Sequence, residues 1–581
     1  FGSGMVLPRN REVPVRGIAP AGAAIEITGS WNPGLVARGL AGEDGRWSIP
    51  LATGEAGGPF TLEITVRDGE QVERLTLEDV LLGEVWLAGG QSNMEMSLAP
   101  GRGLDGVADW PSEVERADAP RVRMFDVPNR MAWRPQEWLG GPVAWTPVSP
   151  ETAGPMSAVA WFFAERLHEE LEIPIGIVNA TWGGTRVEAW MSEAEAARHE
   201  GLEPWLDLVR GERAEPGFIA AMRRDRDAAA RSAAERRDPG IREQWMDPAV
   251  DDADWPEVEV GRHWAEPPLS GHDGFVWMRR TVTLPADAPL DGPWTLWPGA
   301  IDDRDDTWVN GELVGRTDGD NLWNQARRYD VPAGVLKPGR NVIAIRVRDT
   351  SGPGGMIGPA AVMRLEPARG HGGAGEPSTA AVRIDGRWRF RPSLTEAEIR
   401  RPAPMPGGSA GRPDRADRNL PTVLHAGMIE PLGGFPFRGA IFYQGESNVG
   451  DRLYGRLLPS LIADWRTRFA GDREADWPFL MVQIAPFGYG GSPDAAAWVR
   501  EAQRRTAASV PGCGLVVTTD VGARHDIHPI AKRPVGERLA DLALAGTYGR
   551  DRGIVRSPEP VSTEFAGGEA MVRLAPVGEP H

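Results

Sequence analysis

Cysteine is nearly missing from this sequence of 581 residues. Cys513 stands alone, so no intrachain disulfide can form and a disulfide-stapled scaffold is excluded. Lysine is almost as scarce: Lys337 and Lys532 are the only two among 64 basic residues, and 82 acidic residues bring the net charge to −18. A surface of that sign gives neither nucleic acid nor an anionic membrane an electrostatic reason to bind. No apolar run is long enough to span a bilayer. The preference for arginine over lysine reads as genome composition rather than phosphate recognition.

What is present is the composition of a globular protein, 41% hydrophobic and 25% charged, which excludes disorder of the whole chain. The length predicts two to four domains. Some of the 23 tryptophans belong to cores. Flat aromatic faces also stack on sugar rings, so the number favours a carbohydrate ligand. The chain opens on Phe1 rather than methionine, which reads as a processed or trimmed form from which any signal peptide is gone.

Residues 1–78 read as an N-terminal β domain, with short alternating runs such as Ala24–Thr28 and Phe60–Val66 between Gly/Pro/Asn clusters. From residue 79 the rhythm changes to strand and helix: an apolar run Leu81–Ala88, then Val159, Phe162, Phe163 and Leu167 at helical spacing up to Leu171, then a strand Ile175–Val178. Residues 79–202 thus read as the first part of an α/β domain, a parallel sheet covered by helices. Residues 203–250 are rich in Arg, Ala and Glu and read as a helical or linker segment. Residues 251–400 are β-rich again and read as an inserted β-sandwich, and a Gly/Pro/Arg linker follows over 402–418. The second part of the α/β domain, 401–550, is predicted from strands at Gly439–Tyr443, Phe479–Ile484 and Leu515–Thr519 and helices at Tyr454–Phe469, Ala497–Ser509 and Pro534–Ala545. Residues 551–581 read as the start of a C-terminal β segment.

Four polar blocks, three of them glycine-marked, each follow a predicted strand of the α/β domain. Gly89-Gly90-Gln91-Ser92-Asn93-Met94-Glu95 places a serine directly after a buried strand, at the sheet edge where open α/β folds hold ligands. Thr181-Trp182-Gly183-Gly184-Thr185 exposes backbone N–H donors of the kind an oxyanion hole needs. Tyr443-Gln444-Gly445-Glu446-Ser447-Asn448 offers side-chain amides in Gln444 and Asn448 and a carboxylate in Glu446. His525-Asp526-Ile527-His528-Pro529 supplies an imidazole able to take a serine's proton near pH 7. Alone, the serine block reads equally well as a turn with Ser92 as a helix cap, the glycine block reads better as a tight turn, the third as a polar loop, and a lone histidine as structural or exposed. Parallel strands bring all four to one edge, and the combination points to a serine esterase.

At these blocks the sequence resembles the sialate O-acetylesterase family, within the larger group of Ser-Gly-Asn-His esterases. Glu188-Ala189-Trp190-Met191, Gly4-Met5-Val6-Leu7, Gly427 to Leu432 and Arg500 to Gln503 carry the likeness further. The resemblance implies a flavodoxin-like three-layer hydrolase domain with accessory β domains. The insert, through Thr307 to Gly311 and Pro338 to Asn341, resembles the galactose-binding-like jelly roll of some glycosidases. Ser92 is the implied nucleophile and His528 its base. Gln91, Gly183, Gly184, Gln444 and Asn448 are the implied oxyanion and substrate-binding residues. The wider group places an aspartate three residues before the histidine, where this chain has His525. Asp526 and, from another loop, Glu446 are therefore rivals for the acid, with a Ser–His dyad as the third possibility. Family members commonly continue into a further β segment beyond about residue 560.

The expected activity is removal of acetyl groups from a sugar, with sialate favoured. The alternatives are an acetyl xylan esterase and a non-catalytic carbohydrate-binding protein. An acidic sugar calls for an arginine near the site, and Arg186 is the candidate. Neither metal nor cofactor is required: the run from Asp302 to Asp306 lacks an EF-hand pattern and reads as a solvated turn. The expected partner is an acetylated saccharide and the expected location periplasmic or secreted. The acetyl position and the oligomeric state are not legible.

Overall fold

The computed structural model describes residues 1–101, 103–141, 143–222, 234, 236–264, 266–318, 322–368, 379–399, 417–471, 477–489, 494–552 and 560–574. Apart from residues 417 and 418, the expected linker lies outside these. So do parts of the expected segments 203–250 and 551–581. The chain divides into two compact units, Phe1–Phe218 with Asp414–His581, and Ile219–Pro413.

In the first unit the N-terminal residues alternate as read: Trp47, Ile49 and Leu51 of the strand Arg46–Ala52 point inward, the residues between them outward. They close a core with Val13, Val15, Ile25, Ile27 and Leu62. The strand Gln71–Gly90 is 20 residues long and serves two sheets. Its first part pairs antiparallel with Gly57–Asp68, and its last part pairs parallel with Ile175–Thr181 and Gly439–Tyr443. The boundary expected at residue 78 therefore falls inside one continuous strand.

Around that strand the order is Cys513–Val516, Phe479–Val482, Gly439–Tyr443, Gln71–Gly90, Ile175–Thr181, Ala119–Asp126, Trp145–Val148. All but the last run parallel. Side-chain alternation then assigns the helices. Trp86 and Phe163 stack edge to face, which puts the helix Ala158–Leu171 on one side, and Arg533–Gly546 shares its apolar cluster. Gly89 and its register partner Phe442 face the other side, where Trp465 of the helix Tyr454–Phe469 packs on Phe442. The result is a three-layer α/β arrangement. The side chain of Ser157 caps the first helix by accepting the Ala160 N–H.

The second unit holds two antiparallel sheets, of six and five strands, over a core that includes Val276, Met278, Leu296, Ile343, Ile345 and Trp388. It begins earlier than expected because residues before 251 complete it. Asp238 is buried and binds Trp277 Nε1 and Arg346, and Trp245 packs edge to face on Trp255 and Trp277. The reading of Asp302 to Asp306 as a solvated turn is corrected here. Arg304–Val309 is a strand, and Asp305 and Asp306 are buried against Arg327 and Arg346, since arginine partners lower the cost of removing carboxylates from water.

Candidate active site

Gln71–Gly90 is the strand at which the sheet order reverses, the place where open α/β sheets leave a crevice at their carboxyl edge. Gly90 lets the chain leave it. Its φ is +134°, and a Cβ there would lie 2.1 Å from the carbonyl oxygen of Tyr443 on the next strand. Gln91 donates its N–H to that carbonyl at 3.0 Å, and a single helical turn, Ser92–Glu95, begins.

Ser92 Oγ lies 2.8 Å from Nε2 of His528, a residue 436 positions later in the chain. The imidazole is held below its usual pKa by burial first, then by the Lys532 ammonium, with Asp526 opposing. It is therefore neutral, and able to accept a proton, at pH 7. Asp526 Oδ1 accepts the backbone N–H of His528 at 2.8 Å but stands 3.9 Å from Nδ1, and its side chain is 51% exposed. It is near enough to bias the charge of the ring without a close hydrogen bond to Nδ1. His525 is exposed.

Glu446 is tied elsewhere. Its Oε1 accepts the side-chain N–H of Asn93 at 2.6 Å, while its buried Oε2 has no hydrogen-bond partner among the described residues. Burial raises its pKa, against the stabilising effects of its own backbone N–H, Asn93 and Lys532. Asn93 also donates to the Ile527 carbonyl at 3.0 Å and accepts from Lys532 Nζ at 2.5 Å. Burial pushes the Lys532 ammonium down to about 7, with Glu446 and Asp526 opposing.

The remaining sequence candidates divide. Ser92, Gln91, Gly183, Gly184, Glu446 and His528 line one cleft of about 390 Å³, together with Glu95 and Arg418. Within it the Gly183 N–H already donates to Glu95 Oε2 at 2.6 Å. Gln91 Oε1 accepts the Ser447 N–H at 3.3 Å and so braces the third loop. Gln444 and Asn448 lie in a buried network. Gln444 Nε2 donates to Asn448 Oδ1 and the Thr185 carbonyl, and Asn448 Nδ2 to Glu188 Oε2. Arg186 spends its guanidinium on Glu188, the Ser447 carbonyl and Asp451. These three are braces rather than groups offered to the cleft, because the other loops supply partners for their donors. Trp86, Trp161, Trp190, Trp465 and Trp477 are fully buried and structural, and no Phe, Tyr or Trp lines the cleft among the described residues.

Four contributors had no role assigned from sequence. Asn93 and Glu95 stand inside the serine block, where their spacing was visible but their direction was not. Lys532 carried a signal, as one of only two lysines, four residues after His528. Arg418 carried none. Its Nη2 would lie 3.4 Å from a Cβ at Gly184, and its Nε is buried without a hydrogen-bond partner among the described residues.

Residues 82–210 match the family model described as carbohydrate esterase, sialic acid-specific acetylesterase. Rat sialate O-acetylesterase is 31% identical over 191 residues, and the human protein 33% identical over 158. The matches cover 30% and 25% of this chain and 33% and 28% of those relatives, so the aligned part spans about a third of their length. A carbohydrate acetylesterase of known structure from Xanthomonas citri is 25% identical, with a TM-score of 0.56 over 99% of this chain and 80% of its own. Residues 82–210, which hold the serine and glycine blocks, are therefore the part of the chain that matches the sialic acid-specific acetylesterase family of carbohydrate esterases.

Proposed function

We propose that this chain is a carbohydrate O-acetylesterase that works through an acetyl-Ser92 intermediate and acts on sialate esters. The observation that carries the reading is the 2.8 Å approach of Ser92 Oγ to a neutral, half-buried imidazole at the switch point of a parallel sheet. The Ser92 hydroxyl attacks the acetyl carbonyl as His528 Nε2 takes its proton. The oxyanion faces the backbone N–H groups of Ser92 and Gly184, each donor of this kind contributing roughly 3 kcal/mol. His528 returns the proton to the sugar oxygen as the C–O bond breaks. Water then attacks the acetyl-serine, His528 taking and returning its proton, and acetate leaves. Asp526 favours the imidazolium from a distance, so the working unit is a Ser–His pair with a weakly coupled acid.

Arg418 supports an acidic sugar. A guanidinium lining the cleft, with its Nη2 beside Gly184, suits the carboxylate of an acidic sugar. The flavodoxin-like hydrolase fold and a galactose-binding-like jelly roll in Ile219–Pro413 complete the reading, and its place of action is periplasmic or secreted.

Ser92→Ala is expected to lower p-nitrophenyl acetate turnover at least about a thousandfold with the melting curve unchanged. Turnover near wild type removes Ser92 from the chemistry. Arg418→Gln is expected to cut acetate release from O-acetylated sialosides about tenfold more than from acetylated xylo-oligosaccharides. Equal losses on both substrates sink the acidic-sugar assignment.

A further inference from the structure

The loop that carries His528 has little regular structure of its own. Residues 517–532, between the strand Cys513–Val516 and the helix Arg533–Gly546, are turn and coil. A general base must nevertheless be held within a fraction of an ångström of its partner. One fully buried side chain joins this loop to the other two. Asn93 follows the nucleophile, and its amide donates to Glu446 Oε1 at 2.6 Å and to the Ile527 carbonyl at 3.0 Å. Its carbonyl oxygen accepts from Lys532 Nζ at 2.5 Å. A primary amide has two N–H donors and one carbonyl, so all of it is used. Turned over, its oxygen would face a carboxylate and a carbonyl and its NH2 an ammonium, and every contact would be repulsive.

Composition points the same way. Among 64 basic residues this chain uses lysine twice, and one of the two is buried here, 1% exposed, where a compact ammonium acts as a point donor instead of a planar fork. Lys532 also sits at the N-terminal boundary of the helix Arg533–Gly546, and its carbonyl accepts from the first turn: the N–H groups of Val535 and Gly536 both donate to it. The ammonium is thus anchored on a rigid element.

We propose that Lys532 is a positioning residue: it fixes the orientation of Asn93, and through Asn93 and the Ile527 carbonyl it holds the His528 imidazole against Ser92. This rests on the hydrolase reading given above. The charged and titratable groups around the imidazole are Lys532 and Asp526 on its own loop, Glu446 from the third loop, and Glu95 and Arg418 across the cleft.

Two substitutions separate the donor from the charge. Lys532→Met removes both, and Lys532→Gln keeps an N–H for Asn93 Oδ1. With p-nitrophenyl acetate the Met variant is expected to lose about thirtyfold in kcat with KM within about twofold. The Gln variant recovers to within about fivefold of wild type. Asn93→Ala matches the Met variant, and the double variant loses no more than the worse single one, because the two side chains act in series. In both variants at 532 the acid limb of kcat/KM moves to higher pH, since the ammonium is one of the causes holding His528 low. Full turnover in the Met variant, or losses that multiply in the double variant, overturns the proposal. Where the Met variant fails to fold by circular dichroism, a Gln variant as impaired as Asn93→Ala overturns it. A wild-type chain that neither hydrolyses the ester nor takes a fluorophosphonate on Ser92 fails the hydrolase reading instead. The positioning is then read from the NMR signals of the His528 ring, which the Met variant is expected to shift and the Gln variant to restore; a Met variant with the wild-type signals, or a Gln variant shifted as far as the Met variant, overturns it.

Discussion

In the proposed mechanism the working state of His528 is the free imidazole, and its surroundings decide at which pH that state forms. Burial and the Lys532 charge lower its pKa, so kcat/KM is expected to rise with pH through an inflection below the usual histidine value of about 6.5. Asp526 is the group that raises it. Asp526→Asn is therefore expected to move the inflection further down and to cost about tenfold or less in kcat, since the carboxylate is half exposed and 3.9 Å from Nδ1. Glu446→Gln is expected to leave the inflection where it is. A pH profile in which Glu446→Gln shifts the limb and Asp526→Asn does not would make Glu446 the acid. At this scale the sequence disclosed residue types but not their directions. Ser92 and His528 stood out only through the combination of four blocks, each after a strand of one sheet, and the structure brings the two side chains to 2.8 Å. Gln444, Asn448 and Arg186 looked equally suited to substrate, yet each is used by a neighbour, and only the folded chain shows which way an amide or guanidinium points.

At the scale of the element, the turn at Gly90 is the point of least tolerance. Gly90→Ala is expected to abolish esterase activity and lower the melting temperature, because the added methyl meets the Tyr443 carbonyl at 2.1 Å on a backbone at φ +134°. Gly69→Ala is the control: its φ is +60° but no atom lies within 4 Å, so it is expected to cost about 1 kcal/mol and no activity. Thermal melts and nitrophenyl acetate turnover of the two variants decide it. Equal activity in both would show that the turn relaxes. Strands and helices of the α/β part were largely legible, since Gly439–Tyr443 and Tyr454–Phe469 keep the predicted limits. Two strands, Ala119–Asp126 and Trp145–Val148, were not. Their sequences, APRVRMFD and WTPV, mix arginine and proline into short apolar runs, and Arg123 is buried by bonding to the Gly4 and Asp79 carbonyls, a long-range partnership no local pattern announces.

At the scale of the whole molecule, the two units have separate apolar cores. Arg346 ties together the second of them. It is 1% exposed, bonds to Asp238 and Asp306, and lies 4.4 Å over the ring of Phe275. Arg346→Met strands two buried carboxylates and is expected to cost about 3–5 kcal/mol. In calorimetry it is expected to lower one of two transitions while the temperature at which esterase activity is lost stays put. A single transition, or a parallel fall of both, would mean the units melt together. The split of the α/β domain by an insert was visible in the change of rhythm near residues 250 and 420. The limits of the insert were not, because Asp238 and Trp245 join it through contacts remote in sequence.

The divided sheet has a consequence for synthesis. As the ribosome releases the chain, Gln71–Gly90 and Ile175–Thr181 appear early, but the strand that flanks Gln71–Gly90 on its other side, Gly439–Tyr443, emerges some 260 residues after Thr181. Meanwhile Trp86, Leu87 and Phe163 lack their later neighbours, leaving a sticky nascent surface of the kind chaperones shield. On the proposed mechanism, a product released before residue 528 would carry the nucleophile without its base, so premature termination would yield an inert protein rather than an uncontrolled hydrolase.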